Sequence, residues 1–121
     1  MKTILVVDDE KTLRLNLCEM LMFEGFNVIE ADNGAAAIQL AQTQHPDVII
    51  CDVAMPEMDG FEVLRLLKQD SETTEIPVLL LTARAEKASI QYGLEMKATD
   101  YLLKPFVFSD VLAKVRACLV E

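Results

Sequence analysis

The sequence predicts an α/β domain: a parallel sheet with helices on both of its faces. Three observations carry that reading. Short apolar runs alternate with stretches of helical period along the whole chain, which gives five β-α units. The runs are apolar at consecutive positions, as in Ile4-Leu5-Val6-Val7 and Val48-Ile49-Ile50-Cys51, and that is the pattern of strands buried on both faces. Both of these runs end in aspartate, at Asp8-Asp9 and at Asp52, where open parallel sheets place their chemistry.

The elements follow in order. Thr3–Val7 reads as the first strand. Leu13, Leu17, Met20 and Leu21 have helical spacing, Asp9 is available to cap that helix, and Gly25 stops it. Asn27–Ala31 is a short alternating strand. Asn33 can cap a helix carrying Ala37, Ile38, Leu40 and Ala41, which Pro46 ends. Val48–Cys51 is the third strand, and Asp59 can cap the helix bearing Phe61, Leu64 and Leu67. The polar stretch Asp70–Glu75 is a loop, and Pro77 precedes a strand over Val78–Leu81. A weaker helical pattern runs from Lys87 to Leu94, and Asp100–Leu103 is the last strand. Val111, Leu112, Val115, Cys118 and Leu119 form the apolar face of a final helix, for which Ser109 is the local choice of cap. Right-handed crossovers leave few ways to order five such strands. No linker, repeat or low-complexity stretch interrupts the chain, so residues 1–121 read as one domain.

Composition narrows the function. A chain of 121 residues has room for one core, and 52% hydrophobic residues excludes disorder. The formal net charge of −9, without a basic cluster, argues against nucleic acid and against an anionic membrane surface. No apolar run approaches the ~18 residues of a membrane span. Met1-Lys2 leads directly into a strand without a signal-peptide pattern, so the expected location is cytoplasmic. Cys18, Cys51 and Cys118 lack metal-type spacing and read as buried free thiols, in keeping with a reducing compartment. His45, beside Pro46, reads as a surface residue and not as a ligand.

The chemistry-bearing residues lie at or just beyond strand ends: Asp8 and Asp9 after the first strand, Asp52 after the third, Thr82 after the fourth and Lys104 just beyond the fifth. Taken singly, an aspartate there is usually a helix cap, a threonine is structural and a lysine is solvated. Together they place three acids, a hydroxyl and an ammonium around one sheet edge. Three carboxylates in close range repel, and a hard cation such as Mg²⁺ is the obvious counterion. A carboxylate can attack a phosphoryl group to give an aspartyl phosphate, a transfer that needs in-line positioning and charge neutralisation. No glycine-rich phosphate cradle is present, since the first β-α turn is Asp8-Asp9-Glu10, and this argues against nucleotide or flavin binding.

Val6-Val7-Asp8-Asp9-Glu10, the stretch from Asp52 through Pro56 to Gly60, Leu81-Thr82-Ala83, and the stretch from Asp100 through Lys104 to Phe106 resemble the motifs of response-regulator receiver domains. The resemblance covers the whole chain in order. It implies a flavodoxin-like three-layer α/β/α fold with strand order 2-1-3-4-5. It also implies that Asp52 accepts phosphate from a histidine kinase or a histidine phosphotransfer protein, as one step of two-component signalling. Carried over by position, Asp9, Asp52 and the Ala54 carbonyl bind Mg²⁺, with Asp8 acting mainly through water. Thr82 and Tyr101 match the family's switch pair, and Lys104-Pro105 matches a peptide that is usually cis. The chain departs from the family at Lys97, where glycine is frequent, and at Thr99, where an acid is frequent. The resemblance also starts the final helix about two residues before Ser109.

The leading expectation is therefore a phosphorylation-dependent switch that is not an enzyme and catalyses only its own phosphoryl transfer and slow autodephosphorylation. Its output runs through the face made by the fourth helix, the fifth strand and the last helix, to an effector domain or a downstream protein. A Mg²⁺-dependent aspartyl-phosphate phosphohydrolase would need a second acid placed as general acid/base and a cap segment, neither of which is evident after Asp52. A docking-only relative would be expected to have lost an acid, the threonine or the lysine. Asp100, Lys114 and Arg116 resemble part of a charge pattern that pairs across a two-fold axis in transcription-factor receivers. The expected state is a monomer, with at most a weak dimer on phosphorylation.

Overall fold

Five apolar runs form five parallel strands, and a helix follows each. The computed structural model describes residues 1–83 and 87–119. The order is β1 (Thr3–Val7), α1 (Lys11–Phe23), β2 (Asn27–Ala31), α2 (Gly34–Gln44), β3 (Val48–Asp52), α3 (Gly60–Gln69), β4 (Val78–Ala83), α4 (Lys87–Glu95), β5 (Asp100–Lys104) and α5 (Phe108–Leu119). The sheet runs β2-β1-β3-β4-β5, the order the resemblance implies, with every neighbouring pair parallel. The chain passes from β1 to the β2 edge and then returns past β1 to β3. This reversal puts the C-terminal ends of β1 and β3 side by side at the switch point.

Strand side chains alternate between faces, so consecutive apolar residues feed two cores. On one face Leu5, Val7, Ile49, Cys51 and Leu80 pack with residues of α2 and α3, among them Ala37, Ala41, Val63 and Leu67. On the other, Ile4, Val6, Ile50, Leu79, Leu81 and Leu102 pack with Leu17, Cys18 and Leu21 of α1 and with Val111 and Val115 of α5. Fully burying each Val, Leu or Ile side chain among them contributes about 1.5–3 kcal/mol. Cys18 and Cys51 are buried and Cys118 is half-buried, all as free thiols. Burial pushes the Cys18 thiol up to about 11 and raises the other two, so none is primed as a nucleophile. Among the described residues, no helix is long and apolar enough to cross a membrane.

The helix starts follow local chemistry. Asn33 Oδ1 accepts from the Ala36 N–H at 2.8 Å, and Asp59 Oδ1 from the Glu62 N–H at 2.9 Å. At α1 the capping residue is Glu10 and not Asp9: its Oε2 accepts from the Leu13 N–H at 2.7 Å. The longer glutamate reaches forward over the first turn, which leaves the Asp9 carboxylate for the acidic cluster. Helix α5 starts at Phe108, following Val107, with the Asp110 N–H on the Val107 carbonyl at 3.0 Å, so Ser109 already lies inside the helix. His45 is exposed and closes α2 in the left-handed region, at φ 46°. Strands β3 and β5 run one residue beyond their apolar stretches, to Asp52 and Lys104, and β4 runs two beyond, to Ala83. Register and not hydrophobicity ends them: Asp52 is still paired with Leu81, and Ala83 with Lys104. The loop between α3 and β4 holds a buried threonine, Thr73, whose hydroxyl donates to the Leu67 carbonyl at 2.7 Å.

Candidate functional site

Because β1 and β3 are neighbours in register (Val7 opposite Cys51), Asp8 beyond one strand and Asp52 at the end of the other share one stretch of sheet edge. Ligand oxygens of Asp8, Asp9 and Asp52 all lie within 4.8 Å of one another, with Asp8 and Asp52 buried and Asp9 exposed. Lys104 reaches over from β5. Its Nζ is 2.9 Å from Asp52 Oδ1 and 3.5 Å from Asp8 Oδ2. Strand parity explains the reach: Asp52 pairs with Leu81 and Leu81 with Leu102, so Asp52, Leu102 and Lys104 belong to the same face of the sheet.

Asp8 is fixed from several directions. Its backbone N–H donates to the Ala31 carbonyl on β2 at 3.2 Å, and its own carbonyl accepts from Arg14 Nη1 at 2.9 Å. Oδ1 accepts from the Glu10 N–H at 2.9 Å. Oδ2 is buried and has no hydrogen-bond partner among the described residues, its contact with Lys104 being a long ion pair. Thr82 Oγ1 is the other buried oxygen without such a partner. A buried carboxylate oxygen left unpaired is costly unless something else binds it. An all-oxygen donor set suits Mg²⁺ and not a softer metal.

Behind Asp52 the backbone is tightly packed. A Cβ on Gly60 would stand 2.5 Å from the Asp52 carbonyl oxygen and 2.8 Å from Val53 Cα. Only glycine allows the first turn of α3 to lie against the end of β3, where the Gly60 N–H donates to the Val53 carbonyl at 2.9 Å. Between these points runs the loop with Ala54, which is exposed, and Glu57, which sits at φ 66°.

The electrostatics oppose each other at Asp52. Burial raises its carboxyl above the usual aspartate range and the charges of Asp8 and Asp9 add to that, while the hydrogen bond and charge of Lys104 pull it down; burial and repulsion win. For Lys104 burial disfavours the ammonium, but Asp52 and Asp8 outweigh it and hold the group above its ordinary value. Three acids face one lysine, so the site carries an excess of negative charge.

The other residues singled out from the sequence lie nearby. Lys104-Pro105 is a cis peptide. Thr82 pairs with Leu103, and Leu80 with Tyr101, so Thr82 and Tyr101 occupy one sheet face, opposite that of Asp52 and Lys104. Tyr101 is half-buried. It lines one shallow surface with Ile90 and Leu94 of α4 and another with Ala113 and Lys114 of α5. Lys114 Nζ lies 5.3 Å from the Tyr101 ring centroid and 2.9 Å from Asp100 Oδ2. Arg116 pairs with Glu24 at 3.3 Å. The charges expected to act between copies are thus engaged within the chain.

Sequence reasoning missed Glu10 as the cap, and it missed Arg14 with its partner Glu30. A signal for Arg14 was present. It lies at i, i+3, i+4 and i+7 with Leu17, Cys18 and Leu21, which puts a guanidinium on the core-facing stripe of α1.

Known proteins share this fold. The family profile "Response regulator receiver domain" matches residues 4–116. "Response regulator MprA" of Mycobacterium sp. (strain KMS) is 41% identical over 116 residues, which is 96% of this chain and 50% of that protein. The chain therefore spans about half the length of the curated relatives it matches. A solved structure from Chloroflexus aurantiacus J-10-fl superposes with a TM-score of 0.94 at 34% identity, covering 99% of this chain and 98% of that one. Chemotaxis protein CheY4 of Vibrio cholerae gives 0.92 at 34% identity, covering 98% of each chain. With its sheet order, its cluster of acids at the β1 and β3 ends and a profile match over nearly its whole length, the chain belongs to the response regulator receiver domains, the phosphorylation-dependent signalling modules of two-component systems.

Proposed function

We propose that Asp52 is the phosphoacceptor of a Mg²⁺-dependent switch that takes its phosphoryl group from a histidine kinase or a histidine phosphotransfer protein. One observation carries the reading: the oxygens of Asp8, Asp9 and Asp52 converge within 4.8 Å while Lys104 Nζ stands 2.9 Å from Asp52 Oδ1. Asp9, Asp52 and the Ala54 carbonyl would hold Mg²⁺, with Asp8 acting mainly through water. Bound there, the ion would offset the carboxylate charge and that of the incoming phosphoryl oxygens. An Asp52 carboxylate oxygen forms the new bond to phosphorus as the bond to the donor's imidazole nitrogen breaks, and the imidazole leaves with the electron pair. Lys104 keeps Asp52 aligned and balances charge. The Thr82 hydroxyl donates to a phosphoryl oxygen.

Output would pass through Thr82 and Tyr101. Drawing the Thr82 hydroxyl toward a phosphate vacates space on the sheet face it shares with Tyr101. The ring can then turn inward and reshape the surface of α4, β5 and α5, a two-state element biased by a local charge. The recipient is an effector domain or a downstream protein, the compartment is the cytoplasm, and residues 1–121 act as a single domain. The state is a monomer, with at most a weak dimer after phosphorylation, since surface ion pairs contribute only ~0–1 kcal/mol each.

Incubation with acetyl phosphate and Mg²⁺, followed by intact mass, tests the reading. The switch predicts one long-lived phosphoryl group per chain. Rapid turnover of many phosphate esters would indicate the phosphohydrolase instead, and an unchanged mass a docking module.

A further inference from the structure

We infer that Arg14 is the positioning residue of the acidic cluster: its guanidinium bridges β2 and the β1–α1 turn and sets the Asp8-Asp9 backbone for a divalent cation. The inference rests on the Mg²⁺ reading above and extends it to a residue outside the acid cluster. Three acids in close range repel, so the turn carrying two of them needs a restraint to hold them convergent. Asp8 has two polar backbone groups, and both are tied to β2. Its N–H donates directly to the Ala31 carbonyl at 3.2 Å. Its carbonyl is tied through Arg14, whose Nη1 donates to it at 2.9 Å while Nε donates to Glu30 Oε1 at 2.7 Å. Glu30 is the register partner of Val6 on the edge strand, so the anchor is part of the sheet and not of the loop.

The carbonyl in question belongs to the peptide that joins Asp8 to Asp9. Fixing its plane fixes the direction in which Asp9 leaves the strand, and hence where its carboxylate meets those of Asp8 and Asp52. The Arg14 side chain is only 11% exposed, and α1 supplies it from the stripe that faces the core. A planar fork with donors in fixed directions suits two acceptors on different elements, whereas a lysine ammonium is a point charge on a flexible stem. Arg14 makes no hydrogen bond or ion pair with the carboxylates of Asp8, Asp9 or Asp52, so it acts on them through the backbone. Outer-shell partners of this kind tune metal affinity by roughly 10–100-fold, and an effect relayed through one peptide belongs at the low end.

The test is Mg²⁺ affinity by titration calorimetry on the whole chain, together with melting temperature in EDTA, for Arg14→Gln, Arg14→Lys and Glu30→Gln, with Arg65→Gln as a surface-pair control. Affinity should fall roughly ten-fold in both Arg14 variants and about three-fold in Glu30→Gln, whose exposed site makes misfolding a lesser concern. Arg65→Gln should bind as the parent does. The sign is diagnostic, because removing a positive charge would by itself strengthen cation binding. Equal or tighter binding in Arg14→Gln overturns the inference. So does full affinity in Arg14→Lys, or a lower melting temperature in EDTA with unchanged affinity, which would make Arg14 merely structural. A parent chain that fails to bind Mg²⁺ overturns the metal reading itself, and a parent that binds while all variants match it overturns only the role of Arg14.

Discussion

Asp52 carries a charge that its surroundings disfavour, and two measurable consequences follow. Its carboxyl is raised by burial and by Asp8 and Asp9, so the protonated form persists to higher pH than in an unfolded chain. In EDTA the Asp52 carboxylate should therefore take up its proton, as pH falls, through a midpoint above the usual aspartate range, and bound Mg²⁺ should pull that midpoint down; an NMR titration of the side-chain carboxyl carbon reads both. For stability the sign is the reverse: the Asp52 contribution is present at low pH and lost as pH rises through its folded value. Asp52→Asn should accordingly melt higher than the parent at neutral pH in EDTA, and Mg²⁺ should narrow that gap. A second site of strain is Lys97, held at φ 79° where its N–H caps the end of α4 on the Leu94 carbonyl at 3.0 Å. Lys97→Gly should stabilise the chain by about 0.5–1 kcal/mol in a denaturant melt, relief of left-handed strain outweighing the added freedom of the unfolded glycine. At this scale the acids, Thr82 and Lys104 were legible because polar residues at the ends of apolar runs stand out. Glu10 and Arg14 were not, because one outcompetes a neighbouring Asp for the same cap and the other resembles an ordinary surface charge until the helix is phased.

At the scale of elements, the β3–α3 junction holds the tightest constraint. Gly60→Ala would place a methyl group 2.5 Å from the Asp52 carbonyl oxygen, so either the strand end or the helix must move. The expected loss is about 1–3 kcal/mol, with weaker Mg²⁺ binding because the displaced backbone carries Asp52; calorimetric melts and metal titration report the two separately. The sequence shows every strand and helix here, because the apolar runs and the helical period are strong signals. It places their ends less well. Strands β3, β4 and β5 continue into Asp52, Thr82-Ala83 and Lys104 because the ladder goes on after the hydrophobic residues stop. Helix α5 begins ahead of the serine that local capping chemistry favours, with Val107 carbonyl contacts from Asp110 and Val111. Thr73 looked like loop polarity, and it is a buried tie to the end of α3.

At the scale of the molecule, the order β2-β1-β3-β4-β5 brings the ends of β1, β3, β4 and β5 to one edge of the sheet, with a packed core on either face behind it. Three acids converge at one edge only in the folded chain, so a divalent cation held there would favour the folded state. Mg²⁺ at 100 times its dissociation constant should stabilise the chain by roughly 2.7 kcal/mol, seen as a concentration-dependent melting temperature that Asp9→Ala abolishes. The fold and the acids were legible in the sequence because spacing along the chain and topology agree. The partition of the site between two sheet faces, with Asp52 and Lys104 on one and Thr82 and Tyr101 on the other, needed the register. In the proposed switch, that partition would carry a charge change at Asp52 into a packing change at Tyr101. The most direct measurement is peptide mapping by mass spectrometry after reaction with acetyl phosphate and Mg²⁺, for the parent and for Asp52→Asn. A single phosphoryl group on the peptide that contains Asp52, absent from the variant, is the predicted result; undiminished labelling of Asp52→Asn would contradict it.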